Sequence, residues 1–386
     1  GSSAAGQVVT ITLGNLAPGT ETSVFVFATP TTTGDFTTTF SLDATEADPD
    51  ATNHSADLVT SVIAPTLTVT NANDSGAGSL RQAILDSNAA PDADTIGFAI
   101  PGGVVPTIAP ATPLPDITAP VMIDGWSQPE FGVEINGAGQ GANSNVLVIR
   151  SDDVTVRSLT INRSPRDGIF ISAIDSASII ENVQIFSCSV GVDPSGTLDL
   201  GNTGDGIELV FADRVTIGGP EFWQGCVISG NGADGIFAQS GSGHVIQGNR
   251  IGCNFGGTAA IENGSEGITF NAFNSLIGGT GFGEGNQISG NREEGVQLGG
   301  SNNKVFGNLI GTDATGTASL PNGTSALADR QAGIVAGGSN CQIGGPDPGQ
   351  RNIISGNRVE NVRMQNRCLV IGNYIGLDIT GTQAVG

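Results

Sequence analysis

Short runs of alternating apolar and polar residues recur along the whole chain, each the length of a strand. Residues 1–64 carry four of them, Val8–Leu13, Thr22–Ala28, Thr37–Leu42 and Ala56–Val62. Turn segments such as Leu16-Ala17-Pro18-Gly19 and Asp48-Pro49-Asp50 separate them. After Pro65 the character changes. A strand over Thr66–Thr70 leads to the one convincing helical pattern, which starts at Ser79 and runs to about Asn88. Ser79 is a good N-cap, and Leu80, Ile84 and Leu85 are read as one apolar face. A strand over Thr95–Ile100 and a Pro-rich passage to Pro120 complete an entry segment, residues 65–120, ahead of a long array over 121–386.

The array is periodic. Gly-Ile or an equivalent pair stands at Gly168-Ile169, Gly206-Ile207, Gly235-Ile236, Gly267-Ile268, Gly295-Val296, Gly333-Ile334 and Asn361-Val362, spaced by 38, 29, 32, 28, 38 and 28 residues. Two unit types alternate. Short units carry Ile217-Gly218-Gly219, Ile277-Gly278-Gly279 and Ile343-Gly344-Gly345, each followed 11 residues later by Ile-Ser-Gly-Asn, at Ile228, Ile288 and Ile354. Long units carry Gly-Asn-x-Ile-Gly, beginning at Gly248, Gly307 and Gly372. The short-unit landmarks advance by 60 and then 66 residues, which assigns about six extra residues to a loop within Ser319–Gln331. Units of this length with three apolar clusters suit one turn of a three-sided parallel β-helix. A helical repeat is excluded, because Gly every few residues costs about 1 kcal/mol each inside a helix.

Composition agrees. The chain has 59 Gly among 386 residues and only 13% charged residues, yet 38% are hydrophobic, so it folds and does so mainly as strands and tight turns. The net charge is −23, with 14 Lys plus Arg, of which Lys304 is the single lysine. No basic face can be assembled for nucleic acid, and an anionic membrane surface would repel the chain. No stretch approaches the ~20 apolar residues of a membrane span.

Stacked coils bring equivalent positions ~4.8 Å apart. Asn249, Asn308 and Asn373 of the long units then share a column with Asn286 and Asn352 of the short ones, an asparagine ladder bonding coil to coil. Cys188 and Cys226 fall in the same column, and Cys341 and Cys368 match each other in adjacent coils. Both pairs are candidate disulfides, with buried free thiols as the alternative, while Cys253 has no partner.

Two resemblances are carried by particular segments. Leu13-Gly14-Asn15-Leu16-Ala17-Pro18-Gly19 and Asp48–Ala56 resemble the C-terminal half of the Ig-like repeat domains of large bacterial surface proteins, so residues 1–64 are expected to form a partial Ig-like β-sandwich. Thr68–Gly102 ("TVTNANDSGAGSLRQAILDSNAAPDADTIGFAIPG") resembles the entry segment of a family of bacterial right-handed parallel β-helix proteins, in which the helix caps the first coil. Together these imply an all-β chain, a right-handed parallel β-helix with an N-terminal capping helix, in a secreted or cell-surface protein.

Many parallel β-helices act on polysaccharides, which makes carboxylates at recurring turn positions candidates for catalysis and calcium. Asp193, Asp313 and Asp378 are the best candidates, one column in the turns after Val190-Gly191-Val192, Ile310-Gly311-Thr312 and Ile375-Gly376-Leu377, with Asn254 at the fourth position. Each belongs to a Gly-rich turn where Asp commonly caps its own backbone, and that reading is preferred. His244 matches Asn303 and reads as a ladder member rather than a base. Trp126 and Trp223 are read as turn packing over sugar platforms. Five Asn-x-Ser/Thr sequons stand at Asn53, Asn73, Asn162, Asn263 and Asn322. The expectation is a structural or adhesive module with no cofactor, calcium being the one exception considered. Head-to-tail self-association into a filament is expected through the N-terminal β-domain and the last coil, by strand donation or coil stacking, with a fragment of a longer chain as the plain alternative. A pectate-lyase-like enzyme or a glycan-binding β-helix is the alternative.

Overall fold

The computed structural model describes residues 2–5, 8–15, 22, 24, 26, 34–43, 54–62, 66–90, 92–129, 132–326 and 331–386. The chain divides into two units, Gly1–Ala64 and Pro65–Gly386.

In the first unit, Ser2–Ala5 pairs antiparallel with Val8–Ile11, and Gly34–Ser41 pairs antiparallel with Ser55–Val62. Among the described residues these are two separate two-stranded sheets. The side chains described on the second pair are exposed, including Phe40, Leu58 and Val59. Two facing sheets of an Ig-like sandwich are not seen among them. Most of the expected strand Thr22–Ala28, and most of the two phrases that carry the resemblance, lie outside the described residues.

The second unit is a right-handed parallel β-helix. Its three long parallel sheets have 8, 10 and 11 strands, each strand pairing with its counterpart one coil away, and Ile180–Glu181 pairs parallel with Ala212–Asp213 in a short fourth one. Isoleucine columns set the register. Ile169, Ile207, Ile236, Ile268, Val296, Ile334 and Val362 stack in the eight-stranded sheet, so the Gly-Ile landmarks mark successive coils. In the ten-stranded sheet Ile228, Ile251, Ile288, Ile310, Ile354 and Ile375 stack. The Ile-Ser-Gly-Asn and Gly-Asn-x-Ile-Gly landmarks are therefore the same corner in alternate coils. Most of these side chains are fully buried, and each contributes about 1.5–3 kcal/mol on leaving water.

The helix Leu80–Ala89 is capped by Ser79, whose hydroxyl accepts from Gln82 N–H at 3.2 Å. Its buried strip is Leu80, Ala83, Ile84 and Ser87. Leu85 is 46% exposed, against expectation: at about 100° per residue it has turned off the strip that an i, i+3, i+4, i+7 pattern defines. The expected loop over Ser319–Gln331 is only in part a bulge. Asn322 is fully buried among its neighbours, and residues 327–330 are not described.

Candidate functional site

Polar side chains inside the stack are used coil to coil. Asn249, Asn286, Asn308, Asn352 and Asn373 form one column, each Nδ2 donating to the next Oδ1 at 2.9–3.0 Å. Above it, Cys226 N–H donates to Asn249 Oδ1 at 2.9 Å. A second column was not anticipated. Asn202, Asn231, Asn263, Asn291, Asn322 and Asn357 are linked in the same way at 2.8–3.0 Å, and Asn357 donates on to Asn361 Oδ1 at 3.0 Å. Its sequence signal is an Asn four residues before most of the Gly-Ile pairs. Leaving one such buried group unsatisfied costs about 1–3 kcal/mol, so the columns fix the register. His244 lies in a third polar column: its N–H donates to Ser275 Oγ at 3.0 Å, and Ser275 N–H to Asn303 Oδ1 at 3.0 Å. Burial holds the His244 imidazole below its ordinary pKa, and Nδ1 accepts from Val215 N–H at 3.2 Å.

All five cysteines are thiols. Cys188 and Cys226 are neighbours across adjacent coils, Cys188 N–H approaching Cys226 Sγ at 3.4 Å. Cys341 and Cys368 flank the paired residues Gln342 and Leu369. Burial raises the Cys188 thiol and pushes Cys341 up to about 11 and Cys253 up to about 12.

Asp193, Asp313 and Asp378 each turn into their own loop. Asp313 Oδ1 accepts from Thr317 and Ala318 N–H at 3.1 Å and from Thr315 Oγ1 at 2.9 Å. Asp378 repeats the pattern with Thr380, Thr382 and Gln383, and Asp193 with Ser195, Thr197 and Leu198. Burial would raise these carboxyls, but the loop donors outweigh it and hold all three below the ordinary Asp value. Neighbouring loops also touch: Phe255 N–H donates to Gly196 O, Ala314 N–H to Gly257 O and Ile379 N–H to Gly316 O. The long units' loops thus stack on one another across the intervening short coils.

The residues that stand out chemically are different ones. Immediately before the Gly of successive Gly-Ile pairs come Asp167, Asp205, Asp234, Glu266 and Glu294, all buried. Asp205 N–H donates to Asp167 Oδ1 at 3.0 Å, Asp234 N–H to Asp205 Oδ1 at 2.8 Å, and Glu266 N–H to Asp234 Oδ1 at 3.2 Å. Glu208, on the neighbouring strand, faces the upper end, and Glu293 the lower. One carboxylate oxygen each from Asp167, Asp205 and Glu208 lies within 4.8 Å of the other two, and the same holds for Glu266, Glu293 and Glu294. Arg166 serves the upper trio, with Nε 3.2 Å from Asp167 Oδ2 and Nη2 3.1 Å from Glu208 Oε2. Burial comes first in raising these acids, followed by their neighbours: Asp205 to about 6, Glu208 and Glu294 to about 7, and Asp234 to about 9. Such a column can share protons or hold a hard cation. Sequence reasoning passed it over, although the acid at a fixed offset from each Gly was its signal.

Trp126 and Trp223 pack edge to face at 4.7 Å, and the Arg157 guanidinium lies 4.7 Å over Trp126. Arg157 is held by both oxygens of Asp124 at 2.8 and 2.9 Å. Of the sequons, Asn162, Asn263 and Asn322 are fully buried and hydrogen-bonded, Asn73 is exposed, and Asn53 lies outside the described residues.

No family model matches the chain, and no curated protein matches it. Among solved structures, it is similar to the A-module of the mannuronan C-5 epimerase AlgE6 of Azotobacter vinelandii, at 14% identity over 80% of this chain and 93% of that one, with a TM-score of 0.37. It is also similar to the ORF18 protein of Geobacillus virus E2, at 10% identity over 83% and 66%, with a TM-score of 0.34. A third is the Dettilon tailspike protein gp208, at 15% identity over 77% and 66%, with a TM-score of 0.26.

Proposed function

We propose that the chain is a structural, adhesive module of an extracellular or cell-surface protein, built to hold a fixed surface rather than to turn over a substrate. One observation carries this reading: the asparagine columns run from coil to coil through hydrogen bonds of 2.8–3.0 Å, committing buried polar groups to cohesion. The net charge of −23 adds mutual repulsion between separate molecules, which favours solubility. Among the described residues no helix is long and apolar enough to cross a membrane. Head-to-tail self-association belongs to the same proposal. A second copy of this chain, engaged through the N-terminal β-domain and the C-terminal coil, is the partner proposed. Light scattering and negative-stain images at high concentration test it: end-to-end chains are expected, and monomers alone would end the idea.

A second reading has its own observation. Glu208, near 7, is an acid still protonated close to neutrality, the property that a general acid in glycan cleavage needs. Incubation with neutral and acidic polysaccharides separates the readings. Product formation that disappears in Glu208→Gln would favour the enzyme, and no product across the panel favours the scaffold.

A further inference from the structure

We propose that the arginines around the strand Glu360–Met364 form an acid-recognising surface whose partner is the acidic first unit, residues 1–64, of a second copy of this chain. The inference rests on the head-to-tail reading above and names the residues that carry it.

Charge is unevenly spread along the chain. Residues 1–64 hold seven Asp and Glu and no Lys or Arg, with Glu46, Asp48 and Asp50 inside five residues. Residues 332–386 hold four Arg, at 351, 358, 363 and 367, against three acids, Asp347, Glu360 and Asp378. A net-positive stretch thus stands in a chain whose total is −23.

The contacts sharpen that contrast. Two of the three acids are engaged close to home. Glu360 Oε2 accepts from Arg363 Nε at 2.8 Å, and Asp378 turns into its own loop, accepting from Thr382 and Gln383 N–H at 3.0 and 3.1 Å. The Arg351 guanidinium lies 4.2 Å over the Tyr374 ring, and its Nε donates to Gly372 O at 3.0 Å, so its charge meets no carboxylate there. Arg358 and Arg367 are exposed, and among the described residues neither side chain makes an ion pair or a hydrogen bond. They flank the strand Glu360–Met364, whose five residues span about 17 Å. Cations spread that far apart suit an acidic protein surface better than one small anion, which needs converging donors. A long polyanion would run on to the acidic coils before Arg351, whereas a compact acidic unit meets only this patch.

The same charges set a salt dependence. Two bodies of −23 repel at long range, while the patch attracts at contact. The screening length is about 30 Å at 0.01 M salt, about 10 Å at 0.1 M and about 3 Å at 1 M. Whole-body repulsion therefore dominates at the low end, and the contact itself is screened at the high end. Association through this surface peaks near about 0.1 M, whereas apolar stacking alone strengthens steadily as repulsion is screened.

Sedimentation velocity of the full chain in sodium chloride at about 0.01, 0.1 and 1 M tests this. Two variants run alongside, Arg358→Glu with Arg367→Glu, and Glu46→Lys with Asp48→Lys and Asp50→Lys. Each variant alone should associate at least about tenfold more weakly, because like charges now face each other. An equal mixture of the two should associate again, since the new glutamates of one meet the new lysines of the other. A native chain that stays monomeric at every salt concentration defeats the head-to-tail reading, and this surface with it. A native chain that associates while the arginine variant does so equally defeats the surface alone. So does association that rises steadily to 1 M. Loss in the arginine variant with no recovery in the mixture would assign these arginines to another anion and also overturns the proposal.

Discussion

A Cβ on Gly295 would lie 2.8 Å from Nδ2 of Asn322 and 2.6 Å from the carbonyl oxygen of Gly333. The same crowding recurs between Gly206 and Asn231, Gly235 and Asn263, and Gly267 and Asn291, at 2.7–2.8 Å. Glycine is thus required in the Gly-Ile pair by the asparagine column beside it. At the last pair Asn361 stands in the glycine's place, and its Oδ1 receives the final Asn357 amide. Gly295→Ala should therefore destabilise by about 1–3 kcal/mol through overpacking. Urea unfolding checks it, and a change within experimental error would show that the column has room to shift.

The upper acids give the fold a pH dependence. Asp205 and Glu208 keep protons in the folded state up to about 6 and 7, above their ordinary values of 3.8 and 4.5. Between those limits the folded chain binds more protons than the unfolded one, so this contribution is fully present below about pH 4 and is lost as pH rises through about 7. Asp167, Asp234, Glu266 and Arg166 face the same groups. In chelator at low salt, Tm should fall by several degrees from about pH 5.5 to about pH 8. Glu208→Gln should flatten that slope. A Tm that climbs over the interval would contradict the buried acidic column.

Below about pH 4 the turn acids act in the opposite direction. Asp193, Asp313 and Asp378 have lowered pKa values, so their contribution is lost as pH falls through those values. Asp313→Ala should cost only about 1 kcal/mol, the value of a capping interaction, as read by urea unfolding at about pH 7. A loss of about 3 kcal/mol or more would show that the carboxylate does more than cap its own turn.

Cys253 is fully buried, and its thiol is pushed up to about 12. At about pH 8 the folded chain should leave it unalkylated, with labelling only after denaturation, because the thiolate is the reactive form. Under oxidising conditions Cys188 should link to Cys226 and Cys341 to Cys368, never to Cys253. Peptide mapping by mass spectrometry reads both results.

How much was legible in the sequence follows from which positions repeat at a fixed offset. The Gly-Ile pairs set the coil, and Asn249, Asn286 and Asn308 each lie two residues before a stacked isoleucine, Ile251, Ile288 and Ile310, so one asparagine column could be placed from spacing alone. The second column drifts in the chain: Asn291 is four residues before Gly295, but Asn322 is eleven before Gly333. Residues inserted between them leave Asn322 inside what reads as a loop and a glycosylation sequon. The acidic column repeats at a constant offset yet looks like solvent-facing turn chemistry. What buries it is the close approach of neighbouring corners that the glycines permit, a tertiary effect without local signature. Leu85 illustrates the limit for the helix, where apolarity alone did not say which face the first coil covers.

The central claim is that buried asparagines hold the coils together, and Asn291 is the place to test it. Its Nδ2 donates to Ile251 O at 3.2 Å and to Asn322 Oδ1 at 2.8 Å, while Asn263 Nδ2 donates to it at 2.9 Å. The direct measurement is equilibrium urea unfolding of Asn291→Ala beside the native chain. A loss of roughly 2 kcal/mol or more is predicted, the cost of orphaned buried amide partners. A difference within about 0.5 kcal/mol, the range of a surface substitution, would contradict the account.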